Sequence, residues 1–152
     1  MALKVFELIS IVLLTLVSGM YWGPWLALTR SISTFAPETF LAIVDRLNLN
    51  MAGLMATHIP VGLVSTLPVL VLSYAHQPTT FYLTLAALAL FVVTLIVTVV
   101  IEVPIVKQIV TWTPATLPSN WQQLRDRWGV FHLARVIPSL LGLVLLLVGA
   151  ML

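Results

Sequence analysis

The chain has 152 residues, 61% of them hydrophobic and 8% charged, with no cysteine and a formal net charge of +2. Ordinary soluble domains carry about 25% charged residues, so this composition excludes a soluble globular domain and makes a bilayer the solvent. The lack of cysteine excludes disulfides, thiolate metal sites and a cysteine nucleophile, and the small basic excess behind a pI of 9.4 makes no case for nucleic acid.

Crossing about 30 Å of hydrocarbon takes roughly 20 apolar residues at about 1.5 Å each. The runs Leu8–Leu28, Met51–Ala75, Phe81–Val106 and Trp128–Leu152 meet this. They predict an all-α integral membrane four-helix bundle, a single transmembrane domain over 1–152. The first run reads as a retained helix, because Lys4 is balanced by Glu7 and no small-x-small cleavage site follows. Gly19 and Gly23 have the small-xxx-small spacing that permits close helix approach. Pro60, Pro68 and Pro138 fall inside spans, where a missing N–H should kink a helix.

Between the first two spans, Pro37 and Glu38 suit a helix start, which makes Pro37–Asn50 an amphipathic lead-in with Asp45 and Arg46 at the water interface. The turn at His76-Gln77-Pro78 joins the second and third spans as an antiparallel hairpin. Lys107 to Asn120, with Pro114 and Pro118, reads as a loop. It ends in Ser119-x-x-Gln122, a capping-box pattern. Lys4 alone marks the side of the termini, whereas Arg30, Arg46, Lys107, Arg125 and Arg127 mark the side of the first and third loops. The positive-inside rule then places these loops in the cytoplasm and the termini opposite. Trp22, Trp25, Trp112, Trp121 and Trp128 all fall on the loop side, against Tyr74, Phe81 and Tyr82 on the other.

A charged group within a span must be paired, snorkel or face a cavity. On the last helix, Trp121, Arg125, Trp128, His132, Arg135, Ser139 and Gly142 form one stripe that points into the bundle or a cavity. Thr94, Thr98 and Glu102 form a similar face on the third helix, and His58 lies about two turns into the second. His58, Glu102, His132 and Arg135 all fall within about 12 Å of the loop-side interface, so a shared cluster is geometrically possible. Tyr21 and Trp22 could wall it, and the opposite half of the bundle offers little beyond Leu, Val, Ala, Thr and Ser.

Each residue also has a bland reading. His58 can bond one carbonyl, Glu102 can pair with Arg135 or Lys107, and Arg125, Asp126 and Arg127 can be solvated or contact headgroups. The threonines can bond within their own helices. Taken jointly, His58, His132 and Glu102 match a mononuclear metal site, and the two histidines match a haem-ligating pair. A cofactor-free alternative uses a histidine as general base with Arg135 stabilising an oxyanion.

Val103-Pro104-Ile105, Trp112, Leu117-Pro118 and the string Trp121-x3-Arg125-x-Arg127-Trp128-x3-His132-x2-Arg135 resemble the anthrone-oxygenase-like integral membrane proteins. The resemblance covers residues 102–142 well and the four-span layout weakly. It implies a small membrane bundle, some relatives of which oxidise anthrones to anthraquinones with molecular oxygen. Trp121, Arg125, Arg127, Trp128, His132 and Arg135 carry over by the motif. Val106 stands where the family commonly has asparagine.

The expected function is an oxygenase or oxidoreductase acting on a lipophilic anthrone- or quinol-like molecule. Its expected catalytic residues are His132, His58, Glu102 and Arg135, with Trp128, Trp121, Trp22, Tyr21 and Arg125 binding substrate. A non-catalytic accessory subunit of a larger membrane complex and a small haem protein remain alternatives. The expected partners are the lipid bilayer and a lipophilic small molecule, with a homo-oligomer or larger complex also open.

Overall fold

The computed structural model describes all residues from Met1 to Leu152. The chain forms α1 (Ala2–Ala27), a 3-10 segment (Thr29–Thr34), α2 (Pro37–Ser73), α3 (Pro78–Val97), a π-helical segment (Thr98–Glu102), α4 (Val103–Ile109) and α5 (Trp121–Met151). There are no strands. α3, the π segment and α4 together make the third membrane-crossing rod, so the molecule is an all-α bundle of four long apolar helices. α1 packs on α2 and α5, and α3 packs on α2 and α5, which closes the four rods into a ring.

Helix starts follow local chemistry. Proline occupies the first turn of α2 and α3, where its missing N–H costs no intrahelical bond, whereas Pro104 follows the π segment without a break and leaves a carbonyl of that turn without its donor. The lead-in to the second span merges with it into one 37-residue helix, because no backbone break intervenes between Pro37 and Ser73. At about 1.5 Å per residue this rod exceeds the hydrocarbon thickness, and Asp45 and Arg46 are exposed on its loop-side part. The capping box at Ser119 does not form. Asn120 holds the cap position of α5 and no side chain bonds the first turn.

Large aliphatic side chains such as Val64, Val71, Ile96 and Val144 lie exposed on the outer faces, as a lipid-facing surface requires. Inside, Leu14, Val17, Tyr21, Ile59, Ala87, Phe91, Val136 and Leu146 form the core toward the termini. Ile32, Phe40, Val44, Ile105, Ile109 and Trp128 form a second core at the loop end. Most hydroxyls bond carbonyls of their own helix, including Thr94 to Phe91 and Thr98 to Thr94, each at 2.7 Å. Ser10 to Ser65 at 2.7 Å and Thr80 to Gly149 at 2.9 Å join neighbouring helices.

The close approaches are not at Gly19 and Gly23, whose missing side chains face open space. They lie at Gly142, where a Cβ would stand 2.9 Å from the Phe91 ring, and at Gly62, 2.8 Å from Leu14 Cδ2. Nor is the terminal half of the bundle free of charge. Glu7 is only 5% exposed and lies 3.2 Å from Lys4 Nζ, which also donates to the Ala150 carbonyl at 2.8 Å.

Candidate functional site

Between the two cores lies a chamber of about 400 Å³, within the usual size range of a small-molecule site. Its wall is largely apolar: Met20 and Pro24 from α1, Met51, Met55 and Ile59 from α2, and Leu95, Val99, Val103 and Val106 from the third rod. Glu102, Trp128, His132 and Arg135 form its polar base, and Asn48 and Lys107 mark its loop-side corner.

The π segment delivers Glu102. One extra residue per turn is a local insertion often found at functional sites, and it ends here on a carboxylate that is 2% exposed. Facing it across the bundle, α5 presents Trp128, His132 and Arg135 at helical spacing. Arg135 Nη2 is 3.2 Å from Glu102 Oε2 and 3.3 Å from His132 Nδ1, while its Cζ lies 4.8 Å from the centroid of the Tyr21 ring. A guanidinium only donates, so His132 Nδ1 is the acceptor. The ring proton therefore sits on Nε2, which donates to the Tyr21 carbonyl at 3.0 Å. Pro24, three residues on, has no N–H for the carbonyl of Met20, which loosens the α1 ladder where His132 reaches it. The Trp128 ring stands edge-on to His132 at 5.5 Å.

This network leaves donors and acceptors over. The Arg135–Glu102 contact has ion-pair distance but not hydrogen-bond angles. Both Glu102 oxygens, Trp128 Nε1, Arg135 Nε and the Tyr21 hydroxyl are buried without a hydrogen-bond partner. Each such group costs about 1–3 kcal/mol when unsatisfied. Glu102, Trp128 and Arg135 all line the chamber.

The predicted site residues therefore separate. Glu102, Trp128, His132 and Arg135 come together, with Tyr21 beneath Arg135. His58 does not join them. Its Nδ1 lies 2.8 Å from the Leu54 carbonyl of its own helix, and its side chain is not part of the chamber. The metal set of His58, His132 and Glu102 consequently does not assemble, no three His, Cys, Asp or Glu groups converge anywhere, and the two histidines do not face each other as a haem pair would. Trp22 is 38% exposed and stacks on Trp25 at 5.2 Å, outside the chamber. Trp121 packs on Phe40 at 5.8 Å and under Arg125 at 5.1 Å. Arg125 binds Asp126 at 2.8 Å and the Ser33 carbonyl at 3.5 Å. These two close the loop end and do not line the site.

Sequence reasoning passed over the methionines. Met51 and Met55, one helical turn apart, and Met20 all face the chamber, and their spacing beside Ala52 and Ala56 was the available signal.

The anthrone oxygenase family profile matches residues 47–145, a stretch that carries every residue of the polar base and most of the chamber wall. The chain belongs to the anthrone oxygenase family. Comparison with curated proteins and with solved structures finds no match. Val106, where the resemblance implies an asparagine, puts an apolar side chain into the chamber wall of this anthrone-oxygenase-like protein.

Proposed function

We propose that this chain is a membrane oxygenase that converts a lipophilic fused-ring hydroxy-ketone of the anthrone type to its quinone. One observation carries the reading: an apolar chamber whose base holds buried donors on Trp128 and Arg135 and an ion-paired carboxylate on Glu102 that all lack a well-formed hydrogen bond. A flat aromatic body fits the Met-rich wall, and its oxygen-bearing edge meets both donors and an acceptor.

Anthrone plus dioxygen gives anthraquinone plus water. Glu102 accepts the hydroxyl proton of the enol tautomer, and Arg135 with the Trp128 N–H stabilises the resulting oxyanion. The electron-rich carbon across the ring, in the apolar part of the chamber, gives one electron to dioxygen. Combination of the two forms the C–O bond. The remaining ring C–H proton passes to the terminal peroxide oxygen as the O–O bond breaks, which leaves the second carbonyl and releases hydroxide. Hydroxide takes the proton held by Glu102 and leaves as water. His132 acts as a positioning residue, since both of its ring nitrogens are already engaged by Arg135 and Tyr21.

The clustering of Arg30, Arg46, Lys107, Arg125 and Arg127 at the loop end supports a cytoplasmic location for that end. The test is oxygen uptake by the purified chain in phospholipid nanodiscs given anthrone, corrected for spontaneous oxidation. Glu102→Gln should lower the catalysed rate by about 100-fold or more. No uptake above the spontaneous rate, or full activity in Glu102→Gln, overturns the proposal.

A further inference from the structure

We infer that the ligand reaches the chamber sideways from the bilayer, through a slot between α2 and the π segment with α4. In its choice of ligand the inference rests on the oxygenase reading above, but the slot itself follows from packing. Six chamber-lining residues are exposed on the outer surface, and they fall in two rows. Ala52, Ala56 and Pro60 run along α2 at steps of four, and Val99, Val103 and Lys107 run along the third rod at the same step. Residues four apart share one helix face, so these rows are the two rims of one opening.

Local chemistry keeps the rims apart. Ala52 and Ala56 are too small to bridge the gap, and Pro60 has no N–H for the Ala56 carbonyl, which leaves an acceptor on the rim. The π segment displaces the third rod's surface from its regular course, and α2 meets α4 only sparsely compared with its contact to α1. Lys107 sits within the last turn of α4, at headgroup level. Val99 is eight residues and about 12 Å deeper, so the slot faces hydrocarbon.

The other routes are shut. Toward the loop end, Phe40, Ile105, Ile109 and Trp128 pack as a plug, with Phe40 tilted on Trp121. Toward the termini, Leu14, Val17 and Phe91 fill the bundle. A lipophilic substrate concentrates in the bilayer by the same hydrophobic transfer that empties it from water, and the slot opens into that reservoir.

The test uses the cysteine-free chain with one introduced thiol, Thr98→Cys, a chamber-lining position that is 6% exposed. Nanodiscs of phosphatidylcholine are treated with bilayer-soluble pyrenyl maleimide or with a sulfonated, membrane-impermeant maleimide. The pyrenyl reagent should label Thr98→Cys and the sulfonated one should not. Adding Ala56→Trp, or Val103→Trp from the opposite rim, should slow pyrenyl labelling by about tenfold or more. Leu54→Trp, 49% exposed and two residues from both Ala52 and Ala56, hence on the side of α2 away from the slot, should leave it unchanged. Circular dichroism and gel filtration confirm that each variant is folded, and the two plugs on opposite rims guard against one that is not. Equal rates in the plugged and Leu54→Trp variants, faster labelling from water, or no labelling at all overturns the slot. Labelling needs no turnover, so a failed oxygen-uptake experiment sinks the oxygenase reading while leaving the labelling contrast to decide the slot.

Discussion

Arg135 on α5 and Glu102 on the π segment stand 3.2 Å apart, 6% and 2% exposed, inside the largely apolar bundle. Taking one charge away leaves its partner buried and uncompensated, a change of about 3 kcal/mol or more, whereas removing both can be nearly neutral. Arg135→Met alone should therefore lower thermal stability in detergent, and Glu102→Gln with Arg135→Met should recover much of that loss. A double variant as unstable as the sum of its singles would show that the two groups do not interact.

The two histidines should behave oppositely. His132 joins α5 to α1 by donating to the Tyr21 carbonyl and holds Arg135 by accepting from it, so His132→Ala should cost about 1–3 kcal/mol and reduce oxygen uptake. His58 forms hydrogen bonds only within its own helix, to Leu54 and Thr57. His58→Ala should change stability by less than about 0.5 kcal/mol and leave uptake unaltered. Thermal unfolding and oxygen consumption on the same preparations check both.

That contrast also marks how far the sequence could be read. Run length and composition revealed the four rods, because apolar length is a direct consequence of bilayer thickness. The α5 stripe was legible for the same reason, since one helix fixes the relative direction of its own residues. Depth along different helices was legible, but rotation about each axis was not. The buried line of α2 runs through Ile59, Gly62, Thr66, Val69 and Ser73, and His58 sits beside it, where its ring turns back to Leu54. Trp22 misses the buried line of α1 in the same way, next to Tyr21. Glu7 lies just before the first apolar run, and its burial arises only because the ring of four rods encloses it.

Glycine substitutions should rank by what the added carbon meets. At Gly142 a Cβ meets the rigid Phe91 ring at 2.9 Å and the Ala87 carbonyl at 3.3 Å, so Gly142→Ala should cost about 1–3 kcal/mol. At Gly62 the close atom is the end of the flexible Leu14 side chain, and the loss should be smaller. Gly19→Ala and Gly23→Ala meet nothing within 4 Å and should stabilise by a few tenths to about 1 kcal/mol through helix propensity. Unfolding midpoints of the four variants give the order directly.

The α5 stripe should divide functionally at its third member. Arg125 ties the 3-10 segment and Trp121 to the helix at the loop end, with its guanidinium 2.8 Å from Asp126, which is 58% exposed. Arg125→Ala should therefore cost about 1 kcal/mol through lost packing and a screened pair, with little change in oxygen uptake per folded molecule. Trp128→Phe keeps most of the ring packed against Phe40 and His132 but removes the unpartnered indole N–H. Its stability should fall by no more than about 1 kcal/mol, because the indole N–H faces Glu102 without a well-formed hydrogen bond, while its catalytic rate falls by an amount comparable to one missing oxyanion donor, about 100-fold. If Arg125→Ala instead abolished uptake and Trp128→Phe left it intact, the reacting edge of the substrate would lie at the loop end and not at the base of the chamber.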